Sequence, residues 1–229
     1  MTFLRVFLFT LVFARVLSAQ EPASPEILQK LQETQQLHQE HRYTEALTKL
    51  DEIEAANPNL ADVYNIRGSI YLTPGLRDFD LAQKYFQKAE SLQPGSLAPR
   101  FNMSELLFVK HEWASAAASF QKVLEDYPKL RFQVRHLTLF KLLVCQVKLG
   151  KLDEAEKILS SNFTFMDDTP AYYFGHAAIA FGKKEDSKAK EWLSRASGIY
   201  KPDVNTAYLD TLMEARWVPN ISLPPVEKK

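Results

Sequence analysis

The chain has 229 residues, with 28 basic and 28 acidic side chains, so its formal net charge is zero. Acids and bases alternate along it instead of forming blocks, as on solvated helix faces, and without a basic stripe nucleic acid is not an expected partner. Seven glycines are few for a sheet-rich fold with many tight turns, whereas Ala, Leu, Glu, Lys and Gln, all good helix formers, abound.

Residues 1–19 stand apart from the rest. Arg5 precedes a run from Val6 to Ala14 that is apolar but for Thr10, and Ser18-Ala19 supply small residues. That order is the order of a secretory signal peptide cut near Ala19. An uncleaved anchor is the other reading, because Arg15 and the large Leu17 fit a cleavage site poorly. These nine residues, eight of them apolar, fall short of the roughly 20 needed to span a bilayer. Residues 20–25 (QEPASP) read as a linker. Export to a periplasm or cell envelope is therefore expected, with membrane contact only if the N-terminus stays uncleaved.

From residue 26 onward the sequence is periodic. Segments beginning at His41, Arg77, His111, Gly150 and Lys184 align, with an alanine at 46, 82, 116, 155 and 189 in steps of 36, 34, 39 and 34 residues. Four residues after each alanine stands a large apolar side chain: Leu50, Phe86, Phe120, Leu159 and Leu193. Three residues before it stand Tyr43, Phe79, Trp113 and Leu152, with Asp186 the exception. Offsets of three and four place these residues on one helical face, a small residue flanked by large ones. Pro58, Pro94, Pro128 and Pro202 predict the ends of four of these helices, since proline cannot continue the hydrogen-bond ladder.

A further helix is predicted before each of them: Glu26 to Glu40, Asp62 to Leu72, Pro99 to Lys110, Phe132 to Leu149 and Pro170 to Gly182. The fourth is about a turn longer than its neighbours. One helix pair cannot bury its own apolar face, but stacked pairs can. Beyond Pro202, residues 203–217 carry Val204, Tyr208, Leu212 and Ala215 at helical spacing and read as a closing helix. Residues 218–229, with three prolines and a charged end, read as a mobile tail.

The period near 34, the alanine and aromatic positions and the terminal prolines together resemble the tetratricopeptide repeat. Tyr64, Gly68 and Tyr71 in the second unit, and Tyr173, Ala177 and Ala180 in the fifth, stand at the family's aromatic-glycine-tyrosine spacing. The resemblance covers residues 26–202. It implies an all-α, right-handed superhelical solenoid of about five helix pairs with a C-terminal capping helix at 203–217.

Candidate chemistry is sparse. Cys145, the single cysteine, lies in an apolar helical stretch and reads as a small core residue. There is no HExxH, no CxxC pair and no Cys/His cluster, so neither a metal nor a cofactor is expected. No nucleophile stands at a recognisable distance from a base, and the chain reads as non-catalytic. His38 and His41 read as solvent-facing, and Arg131, Arg135 and His136 as a solvated helix start. Asn102, Asn162 and Asn220 head Asn-x-Ser/Thr triplets; the last two are candidate glycosylation sites.

The resemblance further implies a groove, lined by the first helices, that holds a segment of another protein or peptide. The matching positions are Asn65 and Ser69, then Phe101, Glu105 and Phe108, then Phe140 and Val144, then Phe174 and Phe181. Phe101 stands where some family members place a carboxylate-gripping lysine, so that clamp is not expected. Two states of this apolar floor stay open: free for a partner, or covered by the chain itself, for example by the closing helix. The expected role is a protein–protein interaction scaffold or adaptor. The alternative is a permanent structural subunit of a membrane-associated assembly, tethered by an uncleaved N-terminus.

Overall fold

The computed structural model describes residues 24–219. The expected signal peptide, most of the linker, Asn220 and the rest of the tail lie outside the described residues. Within them are eleven helices and no strand: α1 Pro25–Gln39, α2 Tyr43–Ala56, α3 Ala61–Leu72, α4 Phe79–Leu92, α5 Leu97–Val109, α6 Trp113–Asp126, α7 Phe132–Lys148, α8 Leu152–Asn162, α9 Ala171–Gly182, α10 Asp186–Ile199 and α11 Pro202–Glu214. The first ten form five successive pairs, and each second helix also packs on the first helix of the next pair.

The repeated alanines explain why the pairs close. Ala46, Ala82, Ala116, Ala155 and Ala189 are all fully buried. With no bulk beyond Cβ, they let the partner helix approach, and Leu50, Phe86 and Phe120 fill the flanks without exposure. Gly68 does the same from α3, since a Cβ there would lie 2.5 Å from Cε1 of Phe86. α7, at 17 residues the longest first helix, sits at the centre of the largest core cluster, which also gathers α5, α6, α8, α9, α10 and α11.

The turn between the helices of a pair is also repeated. His41, Arg77, His111 and Lys184 adopt left-handed φ values between 47° and 61°, and Gly150 sits at 76°. In four of the five pairs an amide just beyond this residue closes the turn by reaching back five residues: Arg42 N to Leu37 O (2.9 Å), Glu112 N to Leu107 O (3.0 Å), Lys151 N to Gln146 O (2.9 Å) and Glu185 N to Ala180 O (2.9 Å). This is the Schellman closure of a helix C-terminus, which gives otherwise orphaned carbonyls a partner. The second pair differs because Thr73-Pro74-Gly75-Leu76 enlarges its turn, and Asp78 N reaches back to Tyr71 O instead (3.0 Å).

α11 ends with the same device. Arg216 is left-handed at φ 58°, and Trp217 N donates to Leu212 O at 3.1 Å. By this signature α11 ends as the first helices of the pairs do, and no second helix follows it among the described residues. It does not simply stack on the last pair, as a terminal cap would, because it packs against α7 as well as α9 and α10. Pro202 corrects one detail of the expectation. Besides following the end of α10, it opens α11 at the first helical position, where its missing N–H costs nothing and its fixed φ suits the helix.

Candidate groove on the first-helix face

Counting back from the turn residue, with two residues allowed for the enlarged second turn, places Asn65, Phe101, Phe140 and Phe174 at one repeat position, and Ser69, Glu105 and Val144 four residues further on. They therefore share one face of the assembly. The structure divides that face into two parts.

The C-terminal part is covered. Phe108, Phe140, Val144, Phe174 and Phe181 are all buried, so five of the nine candidate groove residues are largely withdrawn from solvent. For Phe140 and Phe174 the cover is Tyr208 of α11, whose ring centroid lies 5.1 Å from the first and 5.6 Å from the second. Phe181 is stacked on Trp217 at 5.8 Å with an interplanar angle of 11°. Phe108 is a different case. It packs within its own pair, edge-on to Trp113 at 5.1 Å and to Phe120 at 6.2 Å, with Lys141 Nζ 5.0 Å from its ring. Of the two states left open by the sequence, this C-terminal part shows the self-covered one.

Polar contacts hold the far end of α11. Arg77 pairs with Glu214 at 2.5 Å, and the His111 ring is 2.9 Å from the Glu214 carbonyl through Nε2. Lys148 Nζ lies 4.2 Å from the Trp217 ring. Burial lowers the Lys148 pKa, and nearby Arg216 adds to the effect. Beneath α11, Lys141 is buried and paired with Glu105 at 2.8 Å. Asp210, on α11, has its carboxyl pushed up by burial, with Lys141 pulling the other way. The Tyr208 hydroxyl is pushed up to about 12 by burial, so it stays neutral.

The N-terminal part is partly open. Asn65, Ser69, Phe101 and Glu105 all retain some exposure. Asn102, which sequence reasoning set aside, joins them: its Nδ2 donates to Asn65 Oδ1 at 2.8 Å and to Ser69 Oγ at 3.2 Å. Ser69 in turn donates to Asn65 O at 3.1 Å. Three polar side chains from two helices thus form one ledge. The signal that finds Asn102 is its place one residue after Phe101 on the same helix.

The remaining candidates fall into ordinary roles. Cys145 is fully buried and its thiol is pushed up to about 12 by burial, so little nucleophilic thiolate forms. His136 is not part of a solvated helix start. It is buried, 2.8 Å from Thr169 Oγ1 and 3.9 Å from Asp167, tying α7 to the loop before α9. Asn162 spends its amide on Ile158 O at 2.9 Å. No group of three or more His, Cys, Asp or Glu placed to hold a metal occurs among the described residues, and none of the described helices is long and apolar enough to cross a membrane.

Neither protein-family models nor curated proteins give a match to the sequence. Solved structures do match. PilW, a widely conserved type IV pilus biogenesis factor, superposes with a TM-score of 0.63 at 19% identity, over 85% of this chain and 90% of that one. TTC0263, a tetratricopeptide-repeat protein of Thermus thermophilus, gives 0.59 at 20% identity, over 82% of this chain and 99% of that one. The chain has the tetratricopeptide-repeat fold. PilF of Pseudomonas aeruginosa also matches, at 0.60 and 13% identity over 83% of this chain and 88% of that one. At these identities the likeness is one of fold. In this chain α11 packs on the first helices α7 and α9.

Proposed function

We propose that the chain is a non-catalytic scaffold or adaptor, exported to the cell envelope, that holds an extended segment of another protein against the open N-terminal half of its first-helix face. The observation that carries this reading is the Asn65–Ser69–Asn102 ledge. Once Asn102 has donated to Asn65, the Asn102 carbonyl and the Asn65 amide have no further protein partner among the described residues. They supply one acceptor and one donor, the pair that a peptide backbone unit requires. Phe101, half-buried beside them and edge-on to Phe120 at 5.9 Å, offers an apolar surface for a side chain of the bound segment.

A ledge of amides suits a scaffold, because it reads backbone and therefore tolerates varied side chains. Export rests on the composition of residues 1–19, and the pilus biogenesis role of PilW agrees with an envelope setting. The test is selection from a displayed library of extended peptides on the full chain and on the Asn65→Ala/Asn102→Ala double variant. The reading expects enriched peptides that bind the wild-type chain and bind the double variant about tenfold more weakly, the worth of one or two hydrogen bonds. Equal binding to both chains contradicts it.

A further inference from the structure

The large apolar side chains left in water are not spread evenly over the described residues. The three most exposed are Met166 at 79%, Phe165 at 63% and Ile199 at 58%, and Phe132 and Val204 are exposed as well. Phe132 opens α7, Phe165 and Met166 lie in the loop from α8 to α9, Ile199 ends α10, and Val204 lies in the first turn of α11. With short connections between antiparallel neighbours, all five fall at one end of the stack, opposite the left-handed turns. The 163–170 loop ties them together. Its Asp167 carbonyl accepts from Tyr200, next to Ile199, at 2.7 Å. The Asp167 carboxylate lies 3.9 Å from His136, whose ring rests against Phe132 with centroids 3.9 Å apart. By contrast Leu28 lies on α1, and Leu76 and Leu149 lie at turns. Single exposed apolar residues need no explanation, but five gathered at one edge do.

The tip of this edge is held in place. Thr164, Phe165, Met166 and Asp167 form a four-residue turn closed by Asp167 N to Thr164 O at 3.3 Å. The Asp167 carboxylate accepts from Thr164 N at 2.7 Å and from Thr164 Oγ1 at 2.9 Å. Just before the turn, Phe163 is buried with its ring centroid 5.0 Å from that of His136. Just after it, Thr169 is buried too. The carboxylate is spent on its own turn while the two apolar side chains point outward, so a surface that takes them meets little ordering cost in the loop.

The charges around the edge indicate what it faces. The three loops that end at α7, α9 and α11, with the first turns of those helices, carry the cations Lys129, Arg131, Arg135 and Lys201 and the acids Asp167, Asp168 and Asp203. None of the four cations makes an ion pair among the described residues, and all but the half-buried Arg135 are exposed. Of the acids, Asp167 is turned inward, and Asp203 lies in the first turn of α11, where the helix dipole offsets its charge. A second copy of this chain would bring like cations against one another, whereas an anionic surface would pair with them. We infer that this edge docks on a membrane containing anionic lipids. Phe165 and Met166 enter the headgroup boundary, Phe132, Ile199 and Val204 rest on it, and Lys129, Arg131, Arg135 and Lys201 meet lipid phosphates. The contact lies in the interface and spans nothing, and it requires neither an uncleaved N-terminus nor the Asn65 ledge.

The test uses the full chain with vesicles of equal parts phosphatidylglycerol and phosphatidylcholine, and with pure phosphatidylcholine vesicles beside them. Cys145 is fully buried, so Met166→Cys and, at the opposite end of the stack, Ser187→Cys each take a polarity-sensitive maleimide dye at one site. The dye at position 166 should shift to shorter wavelength on the anionic vesicles, and the dye at position 187 should not. Affinity for the anionic vesicles, measured by cosedimentation, should fall about tenfold or more for Phe165→Ser/Met166→Ser, two solvent-facing changes that leave the core untouched. It should also weaken as salt rises. The double variant keeps the N-terminus of the wild-type chain, so equal binding by the two would assign the lipid contact to residues 1–19 and overturn the inference. Binding to neither kind of vesicle overturns it, and so does equal binding to both, which would leave the cations without a role. A concentration-dependent dimer that Phe165→Ser/Met166→Ser dissolves would overturn it as well, since the edge would then meet a second copy.

Discussion

Single side chains set how closely the helices of a pair approach. At Gly68 an added methyl meets the Phe86 ring at 2.5 Å, and that ring is fully buried with nowhere to move. Gly68→Ala is therefore expected to destabilise the chain by about 1–3 kcal/mol in urea unfolding. Gly198, inside α10, is the contrast: nothing lies within 4 Å of its Cβ position, so Gly198→Ala should stabilise by about 0.5–1 kcal/mol through helix propensity alone. His136 makes the molecule sensitive to acid. Burial holds its pKa below the ordinary value of 6.5, with Asp167 pulling the other way. The folded chain therefore binds fewer protons at this site than the unfolded chain does. Its penalty is absent above the unfolded value, begins as the pH falls through 6.5, and grows until the pH passes the folded value. Urea midpoints at about pH 7.5 and about pH 5.5 should drop further for wild type than for His136→Gln.

At the scale of the element, α11 decides what the groove is. Two kinds of contact hold it, and magnitudes rank them. The Arg77–Glu214 pair is between about a quarter and a third exposed on each side chain, so solvent screens it, and Glu214→Gln should cost only about 0.5–1 kcal/mol. Trp217 stacks on Phe181 and lies under Lys148; Trp217→Ala should cost about 2–3 kcal/mol. Denaturation of the two variants side by side checks the order, and a larger loss for Glu214→Gln would mean that charge rather than packing seats the helix. Phe108 and Phe181 part company here too. Phe108 is core within its own pair, so Phe108→Glu should unfold the chain, while Phe181→Glu should release α11 and leave the remaining pairs folded, as circular dichroism and hydrogen exchange can distinguish.

Across the whole molecule, the repeat was legible because its signal is redundant. Five alanines, four of the positions three residues before them and four prolines agree, so a failure such as Asp186 or the missing fourth proline does not hide the period. The long α7 and the enlarged second turn were legible for the same reason, as departures from a known spacing. The groove was legible only as a set of positions. Repeat arithmetic identifies Phe140 and Phe174 as facing one way, but it carries no information about what lies opposite them. That depends on the path of α11, fixed by contacts between residues as distant in sequence as Arg77 and Glu214. Asn102 was missed because its triplet, lying inside a helix, carries no signal of its own, and its place beside Phe101 is not marked by the repeat. His136 was read as solvated because its partner Thr169 lies in a loop with no repeat signature.

These scales meet in one claim: a five-pair tetratricopeptide-repeat solenoid covers the C-terminal half of its first-helix face with its own α11. The most direct measurement is the pattern of nuclear Overhauser contacts made by the Tyr208 and Trp217 rings in the full chain in solution. The account predicts contacts from Tyr208 to Phe140 and Phe174, and from Trp217 to Phe181. Contacts from α11 to α10 alone, with the phenylalanine rings free of both, would show a helix stacked on the last pair as a simple cap and would contradict it.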